Sequence, residues 1–370
     1  MTGASDIIPG KLTESSPEKS AGKSSGKIRR PRFFRALRET VARLHAVSPE
    51  AIGTWVEETT ASFQAAGARA VALRDLRRQN QFLLEERCRA LASPIYLGDN
   101  TALCRMLGFC KIYLDTTDTG FAAHLLLDGF WEMWLSIFFA RHIWPGMTVL
   151  DVGANYGYYT MLFGALVGGE GRVYAVEPNP MVVPKLRRSV GLNGFTSRTT
   201  IVEAAAGAVD GGAADLFVPN GEPKNSTVAA VLDGIAPGSG VIYKVPRIRI
   251  DRLMASATRF DFVKIDAEGA EQDIVAGMDT ILRRDRPCLV LEFNAGRCSD
   301  PSGLLEKLGT LYDRMRYLDF DGRANDISPA ELLRDQSGED WMLLLGDPPP
   351  VPARLGDDEE RARRRPHAAP

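Results

Sequence analysis

Five residues in two short segments have the types and spacing to hold a nucleoside. The run TVLDVGANYG, Thr148–Gly157, ends an apolar stretch in Asp151, Gly153, Asn155 and Gly157. A second apolar stretch, Val173–Val176, closes on Glu177. The first segment reads as a buried strand entering a glycine turn, with a helix-compatible run, Tyr158–Val167, behind it. Glycine lets backbone approach a ligand where a Cβ would block it. An acid ending the next strand can accept both hydroxyls of a ribose. The spacing is D-x-G-x-N-x-G, not the G-x-G-x-x-G that seats a pyrophosphate on a helix N-terminus, and Asp151 would repel a phosphate. An acid and exposed carbonyls suit a cationic ligand with an amino-acid tail, and S-adenosylmethionine is such a ligand. The competing reading is that Gly153 and Gly157 only pack a helix on a strand and Glu177 is a solvated strand end.

A second cluster follows the apolar run Phe260–Asp266, where Asp266 precedes Ala267-Glu268-Gly269-Ala270-Glu271. Strand alternation puts Phe262, Lys264 and Asp266 on one face, Val263 and Ile265 on the other. Asp266 then lies at the carboxyl end of a central strand, where open α/β sheets bind ligands. Glu268 and Glu271 are expected at the start of a helix running to Met278, favourable to its dipole and facing the cleft. Three close carboxylates suit proton removal, because mutual repulsion raises one toward neutrality. Asp266 is the first candidate for general base and Glu268 the second. Lys264 is expected to hold Asp266 ionised or to pair with Glu292 across the sheet. The same three acids could instead hold a divalent cation through oxygen ligands, or simply cap a helix. No histidine or cysteine spacing marks a metal site.

The runs DVGANYGYYT, VEPNP and FVKIDAEGAEQDIVAGM, with LLDGFWE, VPRIRIDRL and LVLEF, resemble the FkbM-type S-adenosylmethionine-dependent methyltransferases over roughly residues 100–346. The resemblance implies O-methylation, most often of a hydroxyl on a sugar, glycan, glycolipid or glycosylated metabolite. It also implies Asp151, Gly153, Asn155, Gly157 and Glu177 around the cofactor, and Asp266, Glu268 and Glu271 facing the reaction cleft. An N-methyltransferase of protein or nucleic acid is the runner-up. Against it, the N/D-P-P-[YFW] tetrapeptide of amino-group methylases is absent after Phe260–Asp266. A non-catalytic scaffold is the third reading.

These residues need a sheet to position them. Seven strands are expected at 148–152, 173–177, 200–205, 260–266, 289–293, 316–320 and 341–345, mostly separated by helices. That is a doubly wound, Rossmann-like methyltransferase sheet whose last strand the resemblance makes antiparallel. Residues 207–247 look like an insertion ending in a strand at Val241–Pro246. Phe121–Trp144 is too polar for a membrane span and fits one half-buried helix. The methyltransferase region is expected over 94–346. A disordered Ser-rich lead at 1–30 and a Pro-rich charged tail at 347–370 flank the ordered parts. Between them, 31–93 is helical. From Ser48 to about Ala92 a single helix of ~65 Å is expected, forming either a coiled-coil stalk that joins copies of the chain or helices folded back on the core. Its register falters at Arg77 and Asn80 and recovers at Leu84, and Asn80 would set the register of a seam.

The 370-residue chain has a net charge of −2, 45% hydrophobic and 25% charged residues, which gives no overall drive toward nucleic acid. Five cysteines without metal-finger spacing suggest reduced thiols and a cytoplasmic setting. No transmembrane segment is expected, and the partner is a small-molecule or glycan acceptor.

Overall fold

The computed structural model describes residues 70–228, 238–253, 259–334 and 338–350. The expected lead at 1–30, the part of the expected helical region 31–93 before residue 70 and the tail beyond 350 lie outside the described residues.

The central sheet has eight strands: β1 (Thr148–Val152), β2 (Arg172–Val176), β3 (Thr199–Val202), β4 (Phe262–Ile265), β5 (Cys288–Phe293), β6 (Met315–Leu318), β7 (Ala324–Asp326) and β8 (Trp341–Leu345). Their order is β7-β6-β8-β5-β4-β1-β2-β3. Strands β3, β2, β1, β4 and β5 are mutually parallel. The last strand, β8, lies antiparallel between β5 and β6, as expected. The eighth strand, Ala324–Asp326, corrects the count of seven. It folds back on β6 as an antiparallel partner too short and polar to announce itself as a strand.

Both faces of the sheet are covered, which is why β1 and β4 are buried along most of their length instead of alternating with solvent. Val149, Val173 and Phe262 pack against Phe139, Leu162 and Phe163 on one face. Leu150, Val263 and Ile265 pack against Ile274, Ile281 and Leu308 on the other. Register places Lys264 directly beside Asp151 on the first of these faces.

Two smaller sheets flank this frame. Ile95–Gly98, Thr101–Met106 and Cys110–Asp115 form an antiparallel meander that leans on the helix Val183–Leu192, with Tyr113 N–H donating to Ser189 Oγ at 2.9 Å. The insertion-like segment is itself a sheet: Ala213–Pro219 pairs antiparallel with Gly240–Ile248, longer than the expected Val241–Pro246. The expected strand at 200–205 divides, its end Ala205–Ala206 joining this second sheet.

Two helical expectations are corrected. Within the described part of 48–92 the single long helix is two, Leu73–Arg78 and Gln81–Leu91. Gln79 is extended, and Asn80 is the N-cap of the second helix, its side chain accepting from Phe82 N–H at 2.8 Å; it marks no seam. Both helices fold back on the core. Arg77 donates to the Ala140 carbonyl at 2.7 Å and lies over the Trp144 ring, while Leu84 and Cys88 are buried. The helix expected over 121–144 is also two, Phe121–Asp128 and Met133–His142, broken where Gly129 and Glu132 both take positive φ.

Because Leu84 is fully buried, Leu84→Ala is expected to cost about 2–5 kcal/mol in urea denaturation. A free-standing stalk would leave the stability of the domain built on the central sheet unchanged.

Candidate active site

The loops after β1, β2 and β4 meet at the carboxyl ends of adjacent parallel strands. Gly153 and Ala154 N–H both donate to the Val176 carbonyl, at 3.0 and 3.2 Å, which ties the β1 turn to β2. The same turn presses on the β4 loop so closely that a Cβ on Gly153, at φ 77°, would lie 1.7 Å from the Asp266 carbonyl oxygen. Gly157, at φ 95°, leads into Tyr158–Leu166, and a Cβ there would meet Leu186 at 2.4 Å. Asn155 adopts φ 51°, a conformation asparagine tolerates better than most residues.

Glu177 is buried at the end of β2 and fixed by two amides: Asn155 N–H donates to Oε2 at 2.7 Å and Asn179 N–H to Oε1 at 2.8 Å. It is not a solvated strand end. Burial pushes its carboxyl up to about 7 against the pull of those two amides. Asn179 in turn bonds Ser226 Oγ at 2.9 Å and so ties this loop to the inserted sheet. The Asn155 side-chain oxygen is buried and has no partner among the described residues.

Asp151 lies deeper. It is fully buried, with Oδ2 accepting from Thr160 Oγ1 at 2.6 Å and Oδ1 3.8 Å from the Lys264 ammonium. Burial pushes its carboxyl up, and Lys264 opposes this. Lys264 makes its closer pair with Asp266 Oδ2, at 3.1 Å, and also stands 4.9 Å over the Tyr159 ring. The partner left open for Lys264 is therefore Asp266. Glu292 instead pairs with Arg297 at 2.9 Å, and burial pushes it well above its ordinary range, with Asp266 adding to the effect.

The acids after β4 divide by role. Glu268 sits in a turn at φ 51°, not in the helix expected to start there, and pairs with Arg297. Burial, then repulsion from Asp266, pushes it up to about 7. Glu271 opens the helix Glu271–Gly277, but its carboxylate accepts from Ala267 and Gly269 N–H at 2.9–3.1 Å. It holds the loop that shapes Asp266. Asp251 is a helix cap, accepting from Thr280 and Ile281 N–H at 3.0 Å. Among the described residues no group of three His, Cys, Asp or Glu is placed to hold a metal ion.

Four site residues escaped sequence reasoning. Arg297 gathers Glu268, Glu292 and Asp340. Asn179 anchors Glu177. Lys224 stands 5.2 Å over the Trp131 ring. Glu132, at φ 39°, accepts from Tyr159 O–H at 2.6 Å, and burial pushes it up to about 7. Glu132 lay inside the quoted LLDGFWE run, but a helix break inside that run carries no plain sequence signal. The other two tyrosines of the turn pack: Tyr156 stacks on Phe121 at 6.0 Å and Tyr158 O–H meets Ser136 at 2.8 Å. His142 is structural, with Nδ1 2.8 Å from the Phe138 carbonyl.

Residues 151–320 match the methyltransferase FkbM domain. The resemblance drawn from the motifs is thus borne out over these residues. The matched residues begin at Asp151 and include the loops after β1, β2 and β4. The chain is 51% identical over 43 residues to protein-L-isoaspartate O-methyltransferase 1 of Arabidopsis thaliana, covering 12% of this chain and 19% of that protein. It is similar to the methyltransferase FkbM of Methylobacillus flagellatus, with 17% identity, a TM-score of 0.34, and coverage of 54% of this chain and 43% of that one. A SAM-dependent O-methyltransferase of Thermotoga maritima matches at 12% identity and a TM-score of 0.32, over 60% and 66% of the two chains. The chain thus spans less than a fifth of the curated relative. Among the described residues no helix is long and apolar enough to cross a membrane.

Gly153→Ala is expected to cost at least about 2 kcal/mol, because the Asp266 backbone must move; thermal unfolding measures it. A second expectation concerns pH. Glu132, Glu177 and Glu268 are raised from 4.5 to about 7 in the fold, so the folded chain binds their protons more tightly than the unfolded chain. Their contribution is full below about 4.5 and is lost as pH rises through about 7. The melting temperature is expected to fall between pH 5.5 and 8, and the fall to shrink in Glu132→Gln.

Proposed function

We propose that the chain is an S-adenosylmethionine-dependent O-methyltransferase acting on a hydroxyl of a sugar, glycan, glycolipid or glycosylated metabolite. The observation that carries this reading is Glu177, held by two backbone amides opposite the Gly153–Gly157 turn. The donor set fits the cofactor. Glu177 keeps lone pairs for ribose hydroxyls, Gly153 leaves no room for a side chain, and Asn155 offers a buried oxygen without a partner. Gly153, Asn155, Gly157 and Glu177 would hold it, with Asp151 setting the charge beneath. When bound, S-adenosylmethionine supplies an activated methyl group. The protein's remaining task is alignment and a place for the acceptor's proton. Asp266, braced by Lys264, accepts a hydrogen bond from the acceptor hydroxyl and orients it. Glu268, fixed by Arg297, lines the same end of the sheet. An oxygen acceptor is favoured because the loop after β4 is D-A-E-G, rich in carboxylates that can bind and relieve a hydroxyl. A divalent cation is not required by this arrangement.

Calorimetry with S-adenosylmethionine and S-adenosylhomocysteine tests the reading. Micromolar binding, about −8 kcal/mol, is expected for the wild type, with at least about a tenfold loss in Glu177→Ala. No heat in either protein would discard the methyltransferase reading. With sugar acceptors screened by mass, Asp266→Asn is expected to lower kcat about 10²–10⁴-fold while cofactor affinity changes by less than about threefold.

A further inference from the structure

Asp266 and Glu268, the two carboxylates expected to take the acceptor's proton, each already have a cationic partner. Lys264 stands 3.1 Å from Asp266 Oδ2, and Arg297 binds Glu268. A third carboxylate reaches the same group of side chains from a different element. Glu132 projects from the break between the helices Phe121–Asp128 and Met133–His142. Its backbone, φ 39° and ψ 66°, is one that non-glycine residues adopt at a cost. That cost is tolerated where the surroundings demand the side chain in one place.

The place is defined by contacts. Tyr159 O–H donates to Glu132 Oε2 at 2.6 Å, Lys264 lies 4.9 Å over the Tyr159 ring, and Lys264 pairs with Asp266. Glu132, Tyr159, Lys264 and Asp266 are thus one continuous set, and Tyr159 belongs to the helix that begins at the cofactor turn. The charged or titratable groups that act on Glu132 are Tyr159 from that helix, Asp266 and Lys264 from β4 and its loop, and Lys224 from the inserted segment. Its hydrogen-bond partner is a hydroxyl rather than a cation, and Oε1 has no partner among the described residues.

We propose that Glu132 is a catalytic residue of the proposed methyl transfer, accepting the proton of the acceptor hydroxyl that Asp266 orients. As the acceptor oxygen bonds to the methyl carbon, its O–H proton passes to a Glu132 oxygen. The electron pair of the breaking S–C bond stays on sulfur, which becomes a neutral thioether. Glu132 returns the proton to water after product leaves. The carboxyl is suited to this because burial first, and Asp266 second, raise it to about 7. The inference rests on the methyltransferase reading.

The test needs no acceptor. S-adenosylmethionine carries a sulfonium charge that S-adenosylhomocysteine lacks, and a positive charge beside a carboxyl expels its proton. Calorimetry of both ligands at pH 7, in buffers of different ionisation enthalpy, counts the protons released on binding. Wild type is expected to release roughly half a proton more with S-adenosylmethionine. In Glu132→Gln that excess is expected to fall well below the wild-type value, leaving only what Glu177 and Glu268 release, while binding persists. In Tyr159→Phe it is expected to persist with its pH midpoint moved upward, because the lost hydrogen bond favoured the ionised form. An equal excess in Glu132→Gln overturns the inference and leaves the methyltransferase reading standing. Absence of binding by wild type overturns both. If Glu132→Gln does not fold, an unshifted midpoint in Tyr159→Phe overturns the inference by itself.

Discussion

A lysine with almost no route to water holds the candidate site together. Lys264 is only 1% exposed. Burial alone would push its ammonium down, but Asp266 first and Asp151 second outweigh that and hold it above its ordinary value. A buried cation of this kind is tolerable only while its counter-charges stay in place. Asp151 lies on β1 just before the glycine turn, and Asp266 opens the loop after β4. Through Lys264 the two motifs, 115 residues apart by number, are one electrostatic unit. The pairing of Lys264 with Asp151 across β4 and β1 makes the unit a property of strand register.

The glycine turn enforces the same closeness sterically. The contact of Gly153 with the Asp266 carbonyl brings the two loops within van der Waals distance. Glu271 stiffens one of them by binding Ala267 and Gly269 N–H, and Glu177 stiffens the other through Asn155. The carboxylates at this end of the sheet therefore divide into those that accept from backbone amides, Glu177 and Glu271, and those that pair with cationic side chains, Asp266, Glu268 and Glu292. Sequence spacing cannot make that division, because a side chain's choice between a neighbouring amide and the cleft depends on loop geometry.

The legible parts of the chain were those governed by period and by burial. β1 and β4 are mostly apolar, with Asp151 and Lys264 the buried exceptions, because both sheet faces are covered, so their ends, and the motifs on them, could be located closely. The failures have physical causes too. After Pro49 the pattern to residue 92 carries no proline, yet its described part breaks at Gln79, where Asn80 caps a new helix; the faltering register at Arg77 and Asn80 was the available signal. The 121–144 stretch breaks at Gly129 and at Glu132, and a positive φ at glutamate is decided by tertiary contacts with no local signature. Arg297 and Asn179 lie in loops whose roles emerge only when strands distant in sequence are brought side by side.

The position of β8 has a consequence for how the domain is made. Trp341–Leu345 slots between β5 and β6, two strands completed well before it. Until those five residues leave the ribosome, β5 and β6 each present an unpaired edge. Glu292, on β5, meanwhile has no Met342 beside it, and Arg297 has no Asp340. The acid-rich end of the sheet is therefore finished only once Trp341–Leu345 has been made, and the nascent chain passes through a stage in which the strands bearing Asp151, Lys264 and Glu292 are formed but open along one seam.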